Sequence, residues 1–504
     1  MYDLLLISPR NTQLGRFKRF VPRSVPIGIG ILAGFLRGKG ISAKILDQEL
    51  TDISTETLRS CLAQCKKPWI VGISVMTANV ASGYHIAKLV KSVSKEAVVV
   101  FGGIHATVMP DEILLSGCVD FVVQGEAEYT LLELIRQIKG GRIQRDTLEN
   151  ISYVEDGQII YTKPSTKTVD VNEVPMFPYD MFDPSKYNLG FILTSRGCPF
   201  DCIFCSQKAI TKRVYRYVSS ERVVEELDYI INEMHQPNIT FFDDYFTGNK
   251  KRVFELCNMI QERGLHKKAS FGVQTRGDSI DKELMIAMKA ANFDSLMFGV
   301  ETASEDLMKL INKNETVQEN IDAIRLAKEI GFTVEATFIY GFPTETFKDR
   351  LAALSLAVSI GIDRARFNNA TPYPGTQMYK MVRDKINFAP QWVNFSSAGA
   401  VTAGIRKKYP LPYIPEGCTE NELEGSVLLA NLLFYLNLVN LKKLFNPGQR
   451  GSGKWFEVSK NDLLSPSALF GLLILGGTVL LRTLYYLLSC GNCRRFFLKG
   501  LRVT

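Results

Sequence analysis

The sequence predicts an α/β protein in three parts: a doubly wound parallel sheet, a partial (β/α)6 barrel, and a mostly helical C-terminal extension. Three observations carry that expectation. Short apolar runs alternate with helical stretches through residues 1–150, and six further strand-type runs resume the alternation between about 188 and 385. In the last 120 residues, 420–445 look helical and an apolar run follows from Ala468 to Leu481. Alternation of this kind favours parallel sheets covered by helices.

In the first part, Leu4–Ile7, Ala43–Leu46, Ile70–Ser74, Ala97–Phe101 and Phe121–Val123 have strand character, separated by helical patterns near 28–38, 53–65, 80–93 and 126–139. The start of the chain lacks a basic segment and a long apolar run, so it reads as a first strand rather than a signal peptide. In doubly wound sheets ligands sit beyond the carboxyl ends of the strands. Those ends carry Ser74, Gly102-Gly103 and Gln124-Gly125-Glu126. Paired glycines let the backbone approach a large flat ligand closely, although Gly102-Gly103 taken alone reads better as a tight strand-to-helix turn. Residues 151–187 form a connector, with a hairpin turn at Asp156-Gly157 and an extended crossing marked by Pro175, Pro178 and Pro184.

The barrel, about 188–385, takes its strands from Phe191–Thr194, Ile239–Phe242, Ala269–Val273, Ser295–Val300, Val334–Ile339 and Arg364–Phe367. Helices at 219–234, 251–262, 282–291 and 317–330 lie between them, the first with Ser220 as N-cap. Six such units suit an open barrel whose active site lies at the carboxyl ends of its strands. Asp243, Asp244, Arg276, Glu301 and the loop Gly341–Glu345 fall there. Each carboxylate alone reads as well as a helix cap; the argument rests on their ordered recurrence.

Cys198, Cys202 and Cys205, spaced C-x3-C-x2-C on a loop broken by Gly197 and Pro199, are the densest chemical signal. Three thiolates on one loop can hold three irons of a cubane cluster and leave the fourth iron open. A zinc site would bring C-x2-C pairs. Outside this loop the one such pair, Cys490 and Cys493, lies far away near the C-terminus. Ten cysteines over 504 residues make no dense disulfide framework, and a cluster needs reduced thiols, which points to a reducing cytoplasm. A formal charge of +8 without an aromatic-interleaved basic stripe argues against nucleic-acid binding.

The cysteine loop, with Phe204 before its third cysteine, resembles the cluster loop of the radical S-adenosylmethionine (SAM) enzymes. Phe-Phe-Asp-Asp at 241–244, Gly-Val-Glu-Thr-Ala-Ser at 299–304 and Tyr-Gly-Phe-Pro-Thr-Glu at 340–345 are similar to later strand motifs of that family. Upstream, Gly-Gly-Ile-His-Ala-Thr at 102–107 and Val-Asp-Phe-Val-Val-Gln-Gly-Glu-Ala-Glu at 119–128 resemble the Rossmann-like cobalamin-binding domain that precedes many radical SAM modules. The resemblance implies a [4Fe-4S] cluster on Cys198, Cys202 and Cys205, with Phe204 packing on the adenine of SAM. It implies that Asp243 or Asp244 accepts the SAM ammonium, that Arg276 meets its carboxylate, and that Glu301 holds the ribose or methionine end. Ser74, Gly102, Gly103, Gln124, Gly125 and Glu126 would line cobalamin. The histidine motif that ligates cobalt in other cobalamin proteins is missing, its place reading Asp47-Gln-Glu-Leu-Thr-Asp52, so no histidine cobalt ligand is expected. His105 lies in a different loop and is not expected to ligate cobalt.

These features resemble the class containing the hopanoid methylases and the anaerobic bacteriochlorophyll cyclase. The resemblance implies methyl transfer through cobalamin to an unreactive carbon, or alternatively a cyclisation, ring contraction or oxidation that delivers no methyl group. It also implies an external reductant such as flavodoxin or ferredoxin. A cobalamin or redox sensor would have no use for a methionine clamp, and a methylthiolating enzyme would bring a second three-cysteine set. In the extension, 386–504, residues 420–445 read as helix and Phe445–Gly453 as a turn-rich break. An apolar run from Ala468 to Leu481 is interrupted by Arg482, fourteen residues in, short of the ~20 that a span needs. Buried, interfacial and spanning readings all remain for 463–489; association with the inner membrane surface and a lipid or other hydrophobic substrate are preferred.

Overall fold

The computed structural model describes residues 1–11, 23–165, 168–402, 404, 409–437 and 466–503. The β-branched runs at the start assemble as β1 (Leu4–Ser8), β2 (Ala43–Asp47), β3 (Ile70–Ser74), β4 (Val98–Gly102) and β5 (Phe121–Val123), all parallel, in the order β2-β1-β3-β4-β5. Helices α1 (Ile27–Gly38), α2 (Thr55–Leu62), α3 (Val80–Val93), α4 (Ile104–Val108), α5 (Pro110–Leu115) and α6 (Glu128–Lys139) cover both faces. Apolar residues therefore pack on each side of the sheet, forming two separate cores. The short α4 and α5 follow β4 where the sequence pattern showed only turn signals. The Asp156-Gly157 hairpin is present, but its strands β6 (Ile151–Glu155) and β7 (Gln158–Tyr161) pair antiparallel onto β5. The sheet thus runs to seven strands, and the crossing to the next domain begins after Tyr161.

The second sheet is built from β8 (Phe191–Ile192), β11 (Asn238–Phe241), β12 (Ser270–Thr275), β13 (Phe293–Glu301), β14 (Thr333–Tyr340) and β15 (Arg364–Asn369). All neighbours are parallel and in chain order, and β8 does not pair with β15, which makes an open six-stranded barrel. Between β8 and β11 the chain makes a two-stranded antiparallel clip, β9 (Ser195–Arg196) with β10 (Arg216–Tyr217), and the short α7 (Lys208–Thr211). The outer helices are α8 (Ser220–Asp228), α9 (Lys250–Glu262), α10 (Lys282–Ala290), α11 (Glu305–Leu310), α12 (Val317–Ile330) and α13 (Phe347–Ser359). Ser219, one residue before the expected position, caps α8 by accepting from the Arg222 N–H.

Past β15 come α14 (Gln377–Val382), α15 (Gly399–Thr402), α16 (Glu420–Leu436), α17 (Pro466–Ser489) and α18 (Gly491–Val503). The expected break at 445–453, and the helical reading beyond 437, lie outside the described residues. The extension is not one unit. Trp392 and Phe395 insert into the core of the first domain, where Trp392 Nε1 donates to Glu112 at 2.8 Å. By contrast, α16 packs on β15 and is tied to α13 through the buried Arg350, which pairs with Glu422 and lies 3.5 Å from Glu345.

Tyr179, in the crossing, donates to Glu226 of α8 at 3.0 Å, and burial pushes the Glu226 carboxyl up to about 7 from its ordinary 4.5. The folded state therefore holds a proton that the unfolded chain releases above about pH 4.5. That contribution to stability is complete below pH 4.5 and is lost as pH rises through 7. Glu226→Gln is expected to flatten the pH dependence of urea unfolding between pH 5 and 7.5 relative to the parent.

Candidate active site

The cluster loop is held at its base by backbone capture. Asp243, just past β11, accepts from the Thr194 N–H at 2.6 Å, the Thr194 hydroxyl at 2.5 Å and the Ser195 N–H at 3.0 Å. Asp244 accepts from the Gly197 N–H at 3.0 Å and from Gln207 Nε2 at 2.6 Å. Of the two carboxylates expected to meet an ammonium, Asp243 accepts three hydrogen bonds from the loop it anchors, against two at Asp244. Asp244 keeps acceptor capacity. Burial raises both carboxyls above their ordinary range. Gly197 has φ +84°, and a Cβ there would lie 2.3 Å from the Val214 carbonyl oxygen, so only glycine opens the loop.

Cys198, Cys202 and Cys205 are free thiols on this loop. Burial pushes Cys202 up to about 12, against the pull of Lys313, and Cys205 up to about 11. Iron supplies the positive charge that ionises such thiols. Among the described residues no three His, Cys, Asp or Glu side chains converge as they would around a single metal ion. Cys493 at the far end is buried, its thiol directed at the Asn421 carbonyl at 3.3 Å.

Phe204 lies 5.6 Å from Phe342 of the loop after β14. Arg276 is more occupied than expected. Its guanidinium forks onto Asp278 (2.9 and 2.7 Å), donates to the Lys313 carbonyl at 2.7 Å, and stacks on Phe200 of the cluster loop at 3.6 Å. Its first visible work is to brace that loop. Glu301 ends β13 with φ +65° beside an irregular register, and it is buried 3.7 Å from Lys313. Burial raises its carboxyl, opposed by Lys313. Lys313, itself 2.6 Å from Glu315, was missed in the sequence because a lone lysine in a helical connection reads as surface.

Two cavities meet here. One, about 230 Å³, runs inside the barrel along β11, β12 and β13 and includes Cys198, Cys205, Asp243, Asp244 and Gln274, whereas Phe204, Arg276 and Glu301 are not in its walls. The other, about 520 Å³, lies between the two domains. Its walls include Ser74, Gly102, Gly103, Gly125 and Glu126, with Gly28, Leu32, Arg196 and Ile210. Gln207, Phe242 and Asp244 belong to both cavities. Gln124 does not reach the wall; it bonds the Thr107 carbonyl and Ser152 and fixes the loop from behind.

The donor set fits a large, mostly apolar ligand with a polar edge. Gly28 faces open space, so a Cβ there would enter the cavity, and Gly103 (φ +93°) brings its backbone so close to Val75 that a Cβ would lie 2.7 Å from the carbonyl oxygen. None of the four histidines lines this cavity. His105 is buried elsewhere, with Nδ1 3.0 Å from the Thr77 hydroxyl and its ring against Trp392.

Glu126 does something the sequence did not reveal. It takes a bidentate pair from Arg216 (2.7 and 3.0 Å) and a third contact from Arg196 at 3.2 Å, while Arg196 also reaches Glu128 at 2.6 Å. Burial alone would lower the Arg196 pKa, but Glu128 and Glu126 raise it. These four side chains bolt the loop after β5 to β9 and β10, the two strands flanking the cysteines.

Comparison with known proteins agrees with this geometry. The Radical SAM superfamily model matches residues 192–357 and the B12 binding domain model matches 19–135. An uncharacterized methyltransferase of Pyrococcus horikoshii is 33% identical over 409 residues, 80% of this chain and 87% of that protein. The chain belongs to the cobalamin-dependent radical SAM enzymes. Its cofactors are accordingly a [4Fe-4S] cluster, SAM and cobalamin. The anaerobic magnesium-protoporphyrin IX monomethyl ester cyclase of Cereibacter sphaeroides is 28% identical over 440 residues, 85% of this chain and 69% of that one. Among solved structures, the radical SAM methyltransferase TsrM of Kitasatospora setae superposes with a TM-score of 0.66 at 18% identity, covering 89% of this chain and 90% of that chain, which supports the fold.

Two outcomes test the cobalamin radical SAM site. Gly28→Leu is expected to keep or raise the melting temperature, since leucine is a better helix former than glycine by about 0.8–1 kcal/mol. The same variant should fail to retain cobalamin on gel filtration, because its side chain fills the cavity. Arg216→Ala removes two of the three contacts to Glu126; a tenfold loss of cobalamin affinity for each ~1.4 kcal/mol of lost docking is expected by spectroscopic titration, with iron content unchanged.

Proposed function

We propose that this enzyme transfers a methyl group to an unactivated carbon of a hydrophobic small molecule or lipid. The observation that carries the reading is the contact between the two cavities: Gln207, Phe242 and Asp244 line both the one beside Cys198 and Cys205 and the one between the domains. When bound, the cluster and SAM supply a radical that takes hydrogen from an unreactive carbon, and cobalamin carries the methyl group delivered there. The protein's own contribution is placement. Cys198, Cys202 and Cys205 hold the cluster, Phe204 and Phe342 pack the adenine, Asp244 receives the ammonium, and Glu301 with Lys313 orders the methionine end. Arg276 braces the cluster loop from behind. Leu193, Ile210 and Phe242 give the larger cavity an apolar wall on the barrel side.

An external low-potential donor such as flavodoxin or ferredoxin supplies the electron, in a reducing cytoplasm. The preference for a greasy substrate rests on the apolar face of the C-terminal helices. The methyltransferase relative favours methyl delivery, while the cyclase relative sets the second reading, in which the same cavities serve a ring closure without a methyl group.

Anaerobic holoenzyme incubated with SAM and reductant is expected to yield both 5′-deoxyadenosine and S-adenosylhomocysteine by mass spectrometry, because methylating cobalamin from SAM leaves the second product. Deoxyadenosine alone would replace the methyl-transfer reading with the cyclase reading. Neither product from protein with intact cluster and cobalamin would overturn both. Cys202→Ala should drop both products to background while cobalamin stays bound.

A further inference from the structure

The last two helices present a surface that neither cavity uses. On α17, Leu473, Leu480, Leu484 and Leu488 recur at helical spacing, with Leu481 and Tyr485 beside them, and all six side chains are exposed, Leu473 and Leu488 by three-quarters. The opposite side of the same helix is held inward. Arg482, the charge that interrupts the apolar run, donates to the Ala400 carbonyl at 2.7 Å and the Val401 carbonyl at 3.0 Å. It also lies 3.2 Å from the Tyr486 hydroxyl, which donates to Glu424 at 2.8 Å. The outer stripe of α17 is therefore free of charge from Leu473 to Leu488.

On α18, Arg494, Arg495, Lys499 and Arg502 share the exposed face with Leu498 and Leu501, while Cys493, Phe496 and Gly500 face the protein. Arg495 and Lys499 lean over the Phe347 ring, at 5.4 and 6.0 Å. From residue 463 to 504 the sequence contains no Asp or Glu, against five Lys and Arg. No single helix among the described residues is long and apolar enough to cross a membrane, and α17 and α18 meet at 112°. A leucine stripe beside a cationic, leucine-bearing helix, bent so sharply, suits a surface with an apolar interior and an anionic skin.

We propose that the outer faces of α17 and α18 dock this enzyme on an anionic lipid bilayer, the leucines of α17 entering the acyl boundary and the cations of α18 meeting headgroup phosphates. Long basic side chains reach headgroups while their stems stay apolar. Docking goes beyond methyl transfer and is read separately from it.

The test is flotation of anaerobic holoenzyme with vesicles of phosphatidylglycerol and phosphatidylcholine, or of phosphatidylcholine alone, at low salt and in 0.5 M salt. Co-flotation with anionic vesicles is expected, at least tenfold weaker with neutral vesicles or at high salt. Leu484→Glu/Leu488→Glu and Arg494→Gln/Arg502→Gln should each lose it to a similar degree while SAM cleavage in lipid-free buffer is unchanged. Absence of flotation overturns the proposal, as does flotation indifferent to lipid charge. Lipid-free dimerisation that the leucine variant abolishes would reassign the face to a second copy of the chain. The lipid and salt dependence of the parent protein decides the matter even where a variant folds poorly.

Discussion

The arrangement of this enzyme depends on the buried pairing of Glu126 with Arg196 and Arg216. Glu126 comes from the carboxyl end of the first sheet, and the arginines flank the cysteine loop at the carboxyl end of the second. Two parallel sheets are thereby turned face to face. The charges are costly to bury: side-chain exposure is about a tenth for Glu126 and Arg216 and 15% for Arg196. A buried carboxylate without its partners would cost about 3–5 kcal/mol, so the pairing also penalises any misdocked arrangement of the domains.

Around that bolt the structure adds ties of different chemistry. Asp243 and Asp244 spend their acceptors on the backbone N–H groups of Thr194, Ser195 and Gly197, so the end of β11 and the start of the cysteine loop move as one body. Arg276 presses on Phe200 from the next strand. On the far side, Trp392 reaches back from beyond the barrel to Glu112, with His105 and Phe395 around it. His105 packs its ring on Trp392 in this tie. Rigid placement matters for a reaction run through a reactive radical, because small misplacements cost large factors in rate.

The same chain also separates inner work from outer work in its final helices. Arg350, fully buried between Glu345 and Glu422, connects α16 to the loop after β14, and Asn492 of α18 donates to the other Glu422 oxygen at 2.7 Å. The leucine-rich surface is thus joined through side-chain contacts to a loop that borders Phe204.

Local pattern determined much of this. Strand and helix periodicity placed the parallel strands of both sheets within a residue or two, since alternating apolar runs report burial directly. The cysteine spacing marked the cluster loop. Tertiary structure decided what periodicity does not encode. The roles of Asp243, Arg276, Gln124 and Glu126 depend on which distant groups reach them, and each turned out to hold a loop in place through partners 2 to 90 residues away. Arg196, Arg216 and Lys313 looked like ordinary surface charges because nothing within a helical turn announces a partner across a domain boundary. Arg482 interrupts an apolar run in the sequence, yet only packing against α15 showed that it points inward and leaves the opposite stripe apolar. Sequence spacing fixes which residues share a face; long-range contact fixes what that face meets.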